Sequence, residues 1–309
     1  MPSKYLLEYI ALRMFVFFIQ RLPEKLAVAA GKKTGSLAAF FLRKRVRLAH
    51  QNLQLAYGDK VSPAFRKKII SNLFQMLGEA AIESIIFKRK DIAANIHIRG
   101  WEHLENALKR GKGVILIAPH LGMWELASYV FGARLENAST VYKSLKNPLV
   151  DRYLIKNREK IAHLDLIPSK NGLKQVLRKL RRGKMVVMLF DQNAGRNGLP
   201  VKFFGKTAYT YSAPAVFAQK TGCAVIPGHI VKEDAHRTHT MVLDRPIPLI
   251  DTGDKEKDIW ANTQQYTDYI ETIVRQYPEQ WFGWIHRRWR IPRKIARLQN
   301  KAPESSNNP

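Results

Sequence analysis

The segment Ala118-Pro-His-Leu-Gly-Met-Trp-Glu-Leu126 places a histidine and a carboxylate five residues apart, between a short apolar run at residues 113–118 and a helical pattern that begins at Trp124. On one continuous helix, positions five apart do not face each other. With His120 in the turn, the chain can fold back so that Glu125 holds one ring nitrogen. That fixes the tautomer and leaves the other nitrogen free as a general base. This is the logic of a catalytic triad without its serine, with a substrate hydroxyl replacing the side-chain nucleophile. A structural hydrogen bond is the other reading of the same spacing. Placement after a buried strand favours chemistry, because sites in α/β sheets are built at strand ends.

Other chemistries lack their signals. There is no G-x-S-x-G elbow, no H-E-x-x-H, no cysteine-rich ligand set, no P-loop and no dinucleotide fingerprint. Cys223 is the single cysteine, so no intrachain disulfide can form, and its neighbours mark it as a small buried hydrophobe. No metal or other cofactor is implied.

The elements that must position this pair follow from periodicity. Residues 113–118, 184–190 and 224–227 are short apolar runs rich in β-branched residues, hence buried strands, with further strands over 138–142 and 238–243. Helical patterns cover 124–131, 148–162, 171–182, 213–221 and 256–276. The alternation predicts an α/β fold: a mixed, largely buried β-sheet flanked by helices, with an N-terminal membrane-associated helical region. Residues 5–20, YLLEYIALRMFVFFIQ, are apolar but broken by Glu8 and Arg13, short of the ~20 clean residues of a span. They read as a helix lying in the membrane interface or as a marginal tilted span. A second helix is expected over 23–56, turning abruptly basic at residues 43–47, and a third opens at Ser62-Pro63. The expected division is a membrane-associated helix over 1–22, one domain over 23–295 and a disordered tail over 296–309.

The 309 residues include 52 Lys and Arg against 25 Asp and Glu, a formal charge of +27. Such an excess points to acidic partners: anionic lipid, an acidic protein or nucleic acid. The basic residues are interleaved with apolar ones, which argues against a disordered polycationic arm, and no nucleic-acid-binding motif is present.

Three further stretches matter together: Val141-Tyr-Lys-Ser-Leu-Lys-Asn-Pro148, leading into a helix with Arg152 and Arg158; Phe190-Asp-Gln-Asn193 followed by Val201-Lys-Phe-Phe-Gly-Lys-Thr-Ala-Tyr-Thr210; and Pro278-Glu-Gln-Trp281 closing on His286-Arg-Arg-Trp289. With the apolar N-terminus and the H-x4-D/E pair, these blocks resemble the late acyltransferases of lipid A biosynthesis, within the wider lysophospholipid acyltransferase group. The resemblance covers roughly residues 5–290, and five blocks in one order are specific.

The resemblance implies acyl transfer from an acyl carrier protein thioester to a hydroxyl of a lipid A precursor, at the cytoplasmic side of the bacterial inner membrane, with anionic lipids as further partners and no nucleic acid. His120 becomes the general base and Glu125 its orienting charge. Arg158, Lys143, Asp191, Gln192, Phe203 and Gly205 become substrate-binding candidates, and Trp281, Trp284 and Trp289 structural or interfacial residues. Three positions depart from the family's habit: Met123 stands for Asn, Lys143 for Arg and Asn193 for a second acid. The rival activities are acyl transfer to a glycerophospholipid and, in a different class, basic nucleic-acid binding.

Overall fold

The computed structural model describes residues 3–86, 95–136, 138–233 and 238–292. The tail expected over 296–309 lies outside them.

Four helices open the chain: α1 (Ser3–Ile19), α2 (Glu24–Phe41), α3 (Arg43–Tyr57) and α4 (Pro63–Ile86). The single helix expected over 23–56 is two, broken at Leu42, whose φ of −90° and ψ of 42° leave the helical region. The break turns α3 onto the end of the domain, where the buried Asn52 amide donates to the carbonyls of Trp284 and His286 at 2.8 and 2.7 Å. Ser62 accepts from the Phe65 N–H at 3.1 Å, the cap its sequence position suggested. By length and composition alone, α4 could cross a membrane. Here Ile69, Ile70, Leu73 and Phe74 are buried in the core, as in an interior helix. Lys232 ties it to the sheet through Glu79 and Glu83 at 3.0 and 3.1 Å, and His239 bonds Glu83 at 2.9 Å.

The sheet follows: β1 (Ile96–Arg99), α5 (Trp101–Lys109), β2 (Val114–Ala118), α6 (Trp124–Arg134), β3 (Ser139–Tyr142), α7 (Pro148–Ala162), β4 (Asp165–Pro168), α8 (Leu173–Arg181), β5 (Met185–Leu189), the hairpin β6 (Leu199–Phe203) and β7 (Lys206–Thr210), α9 (Ala213–Thr221), β8 (Ala224–Lys232), β9 (His239–Leu243) and α10 (Lys255–Gln276). Seven strands pair in the order β1-β9-β8-β2-β5-β3-β4. All pairings in this sheet are parallel except β8 with β9. The fold is therefore the expected mixed α/β sheet flanked by helices. β1, α5, β4 and the β6–β7 hairpin are additions that the periodicity reading passed over. They are short, and neither β1 nor β4 is an unbroken apolar run.

The handedness of parallel connections decides where the helices go. The path β2-α6-β3 runs one way along the sheet; β4-α8-β5 and β5-α9-β8 run back. Right-handed crossovers in opposite directions put their helices on opposite faces. Val114, Leu116, Met185 and Val187 accordingly pack with Val130 and Phe131 of α6 on the first face. Ile115, Ile117, Val186 and Met188 pack with Val176 of α8 and Phe217 of α9 on the second. At the carboxyl ends of adjacent β2 and β5 the chain thus leaves to opposite faces, and this is the crevice where doubly wound sheets bind ligands.

Helices α2 and α4 approach closely enough to exclude side chains. A Cβ on Gly78 would lie 2.1 Å from the Gly31 carbonyl oxygen and 2.8 Å from the Gly35 Cα. Gly78→Ala is expected to force the helices apart and cost about 1–3 kcal/mol, read as a lowered midpoint in thermal or denaturant unfolding.

Candidate active site

His120 stands in the turn after β2, and both of its main-chain groups are used. Its N–H donates to Asp191 Oδ2 at 2.9 Å, and its carbonyl accepts from the Phe282 N–H at 2.9 Å. Gly122, with φ of +55°, lets the turn pass under β8; a Cβ there would lie 2.3 Å from the Ile230 carbonyl oxygen. The ring is held as firmly. Nδ1 lies 2.6 Å from Asp191 Oδ1. Because an ionised carboxylate only accepts, Nδ1 carries the proton and Nε2 presents its lone pair. Nε2 lies 3.5 Å from the Gln192 amide, and both residues line the large cavity at this edge.

Asp191 follows β5 and is buried. Trp281 donates its indole N–H to Oδ2 at 2.7 Å. Burial opposes the charged carboxylate, but the His120 ring and these N–H donors hold its pKa well below the ordinary value. For His120, burial acts downward; the Asp191 charge and hydrogen bond, with the Glu125 charge behind them, outweigh it and raise the pKa above the ordinary 6.5. Arg288 is buried behind this pair. Its guanidinium bonds the Tyr209 carbonyl and Thr210 hydroxyl at 3.2 and 2.7 Å, and its Nε has no hydrogen-bond partner among the described residues. Burial pushes its pKa down to about 10, against an upward pull from Asp191.

Glu125 does not hold the imidazole, which corrects the local reading of the five-residue spacing. It sits in the first turn of α6 and faces α7. There Arg158 grips it bidentately, Nη2 to Oε1 at 2.5 Å and Nε to Oε2 at 3.1 Å. Asp191, 71 residues from His120, takes the place expected of Glu125. The residue was singled out at its strand end, but as part of an acceptor pocket. No local spacing signals a partner delivered by an adjacent parallel strand.

The remaining candidates divide. Lys143, Arg158, Gln192, Glu125 and His120 line one cavity of about 1430 Å³. Phe203 and Gly205 lie apart from it, a second correction. The hairpin folds back on the closing segment, so Phe203 is spent in packing, its ring centroid 5.5 Å from those of Trp281 and Trp289. Gly205 turns the hairpin with φ of +69°. Of the departures from the family pattern, Met123 is buried in the first-face core. Asn193 does what an acid could not: its amide donates to the Arg288 and Arg290 carbonyls at 2.8 and 2.9 Å. Trp281, read as structural, is also a direct partner of the central carboxylate, and Arg288 was not singled out at all.

A doubly wound sheet with a His–carboxylate pair at its switch point, opening on a large and mostly apolar cavity, has the parts of a transferase for apolar acyl groups. The family described as bacterial lipid A biosynthesis acyltransferase matches residues 2–291, and the chain belongs to it. It is an acyltransferase. It is similar to the lipid A biosynthesis lauroyltransferase of Escherichia coli K12, 24% identical over 282 residues that cover 89% of each chain. The palmitoleoyltransferase of the same strain is 24% identical over 292 residues, 93% of this chain and 92% of the relative. A phosphatidylinositol mannoside acyltransferase of Mycobacterium tuberculosis H37Rv is 28% identical over 188 residues, 60% of this chain and 57% of the relative.

The hydrogen bonds to Asp191 predict opposite displacements of one pH profile. If His120 is a general base it works when neutral, and activity then rises with pH through its pKa. Asp191→Asn removes the charge that raises that pKa; the acid limb should move to lower pH while the plateau falls by roughly 10²-fold or more. Trp281→Phe keeps an aromatic ring, though a smaller one, and removes the indole N–H that tempers the carboxylate. The acid limb should then move to higher pH, with a smaller loss of plateau. Rates of acyl transfer measured across pH on the two purified variants check both signs.

Proposed function

We propose that the protein transfers a fatty acyl chain from an acyl carrier protein thioester to a hydroxyl of a lipid A precursor, with His120 as general base. The observation that carries this reading is the 2.6 Å bond between His120 Nδ1 and Asp191, which leaves Nε2 basic at the cavity. The acceptor hydroxyl displaces the Gln192 amide from Nε2 and gives it the proton. Its oxygen bonds to the thioester carbonyl carbon, and the carbonyl oxygen takes up the electron pair. As that pair returns, the carbon–sulfur bond breaks, and the departing thiolate takes the proton from the imidazolium. The products are an ester and a free thiol.

Asp191 offsets the imidazolium without becoming protonated. Glu125 serves the reaction through Arg158: with two N–H groups fixed by the carboxylate, the guanidinium is held at the cavity for the developing oxyanion or a lipid phosphate. Lys143 adds a point charge at the mouth. The +27 charge suits a phosphorylated lipid, an acidic carrier protein and an anionic bilayer.

The same reading seats the protein on the cytoplasmic face of the bacterial inner membrane. Helix α1 leaves Leu6, Leu7, Ile10, Met14, Phe17 and Phe18 exposed, with exposed Arg13 among them and exposed Arg21 just beyond its end, as in an interfacial helix. It is also tied to the site. The Asn147 amide donates to the Tyr5 carbonyl and Glu8 carboxylate at 3.0 and 2.8 Å, while its Oδ1 caps α7, the helix of Arg158.

His120→Ala should lower turnover by roughly 10²–10⁴-fold with the fold retained, and should also lower the unfolding midpoint, because Asp191 loses its ring N–H donor at a cost of about 1–3 kcal/mol. Near-normal transfer from an acyl carrier thioester to purified lipid acceptor would overturn the mechanism. Removing residues 1–21 should release the protein from membranes and also lower turnover in detergent, because the cap of α7 loses two partners. Cosedimentation with vesicles and a detergent assay separate the two losses; unchanged detergent turnover would make α1 an anchor alone.

A further inference from the structure

The cavity beside His120 reaches both faces of the sheet. Leu116, Phe131, Val187, Ile230, Met241 and Leu243 of the first-face core line one part of it. Ile167, Val176, Met188, Phe190 and Phe217 of the second-face core line another. The two parts meet where the sheet splays. β2 pairs with β5 at five positions, through Ala118 and Leu189, whereas β3 pairs with β5 only at Ser139–Val186 and Thr140–Val187. Beyond Thr140 the strands separate, beside His120 and Gln192. A volume of about 1430 Å³ exceeds the roughly 300–1,000 Å³ of an ordinary single-ligand site.

The lobes differ in chemistry. The first-face lobe ends on a buried apolar floor of Phe131, Met241 and Leu243, and the charges of Glu125 and Arg158, on the helices of this face, are matched to each other. The second-face lobe is an apolar slot between α8 and α9 with exposed Lys174 and Lys220 on its rim, and exposed Lys143 and Lys146 at the shared mouth. An apolar slot with a cationic rim fits an acyl chain attached to an anionic headgroup. A lobe that ends on a buried apolar floor fits a chain that enters alone and is limited in length.

Building on the function proposed above, we propose that the second-face lobe is a separate subsite for an acyl chain already carried by the anionic lipid acceptor, while the first-face lobe takes the chain being transferred. Donor length and acceptor acylation are then read on opposite faces of one sheet, and the two chain ends converge at Nε2 of His120.

The test places one bulky residue in each lobe of the full-length protein: Ala127→Phe in the first and Val216→Trp in the second. The donors are octanoyl to hexadecanoyl thioesters of acyl carrier protein. The acceptors are a phosphorylated glucosamine disaccharide bearing its long 3-hydroxyacyl chains and the same compound with those chains shortened. Ala127→Phe should shift the preferred donor to shorter chains and leave acceptor KM unchanged. Val216→Trp should raise KM for the long-chain acceptor by at least about tenfold, raise it less for the short-chain one, and leave the donor preference in place. Leu177→Ala, which enlarges the second lobe without overpacking it, should broaden acceptor chain length alone and decides the matter if the tryptophan variant does not fold. A shift of donor preference by Val216→Trp or Leu177→Ala, or unchanged acceptor KM in both, overturns the assignment of lobes. Wild-type protein that transfers no acyl chain to either acceptor overturns the underlying function instead.

Discussion

A carboxylate buried without a full shell of donors would take up a proton or disrupt the fold around it. Asp191 is such a group, and much of the site can be read as its solvation by the protein. It accepts from the His120 ring, the His120 main chain and the Trp281 indole. The two residues that supply these donors come from distant parts of the chain. Satisfying one charge therefore joins the end of β5, the turn after β2 and the closing segment. Arg288 adds a buried positive charge behind them. The closing segment is locked in turn by Asn52 of α3, the backbone bridge between Leu121 and Trp281, and the Phe282 N–H on His120. In the proposed reaction, an imidazole whose tautomer and position are both fixed loses little to reorganisation during proton transfer.

The pair sits where it does because of chain direction. Parallel strands need right-handed crossovers, and reversal of the winding between β2 and β5 opens a crevice at their carboxyl ends. That crevice gives adjacent strand ends to His120 and Asp191. It also gives the cavity access to both faces, since the short pairing of β3 with β5 leaves a passage beside them. The geometry of the His120–Asp191 pair and the shape of the cavity thus follow from one topological feature.

The polar contacts around α7 make a second unit. Arg158 is fixed at one end by Glu125 of α6, and Asn147 caps the other end while bonding α1. Helix α1 thereby carries exposed apolar residues on one side and the cap of a site-bearing helix on the other. The helix with the exposed apolar residues and the placement of the guanidinium are thus linked through Asn147.

What the sequence determined by itself is what depends on near neighbours. Apolar runs with β-branched residues marked β2 and β5, and Ser62-Pro63 marked the start of α4, because periodicity and capping act within a few residues. His120 at a strand-to-helix turn was legible for the same reason. Membership of the family was legible because five blocks recur in one order. The partner of His120 was not. Glu125 is five residues away yet faces α7, since the first turn of α6 directs it there, and Asp191 arrives from 71 positions along the chain because β5 lies beside β2. Phe203 looked like a pocket residue by motif and is core, because the β6–β7 hairpin folds onto the closing tryptophans. Strand order, helix faces and the assembly of a buried charge are long-range properties, fixed only when the entire sheet is wound.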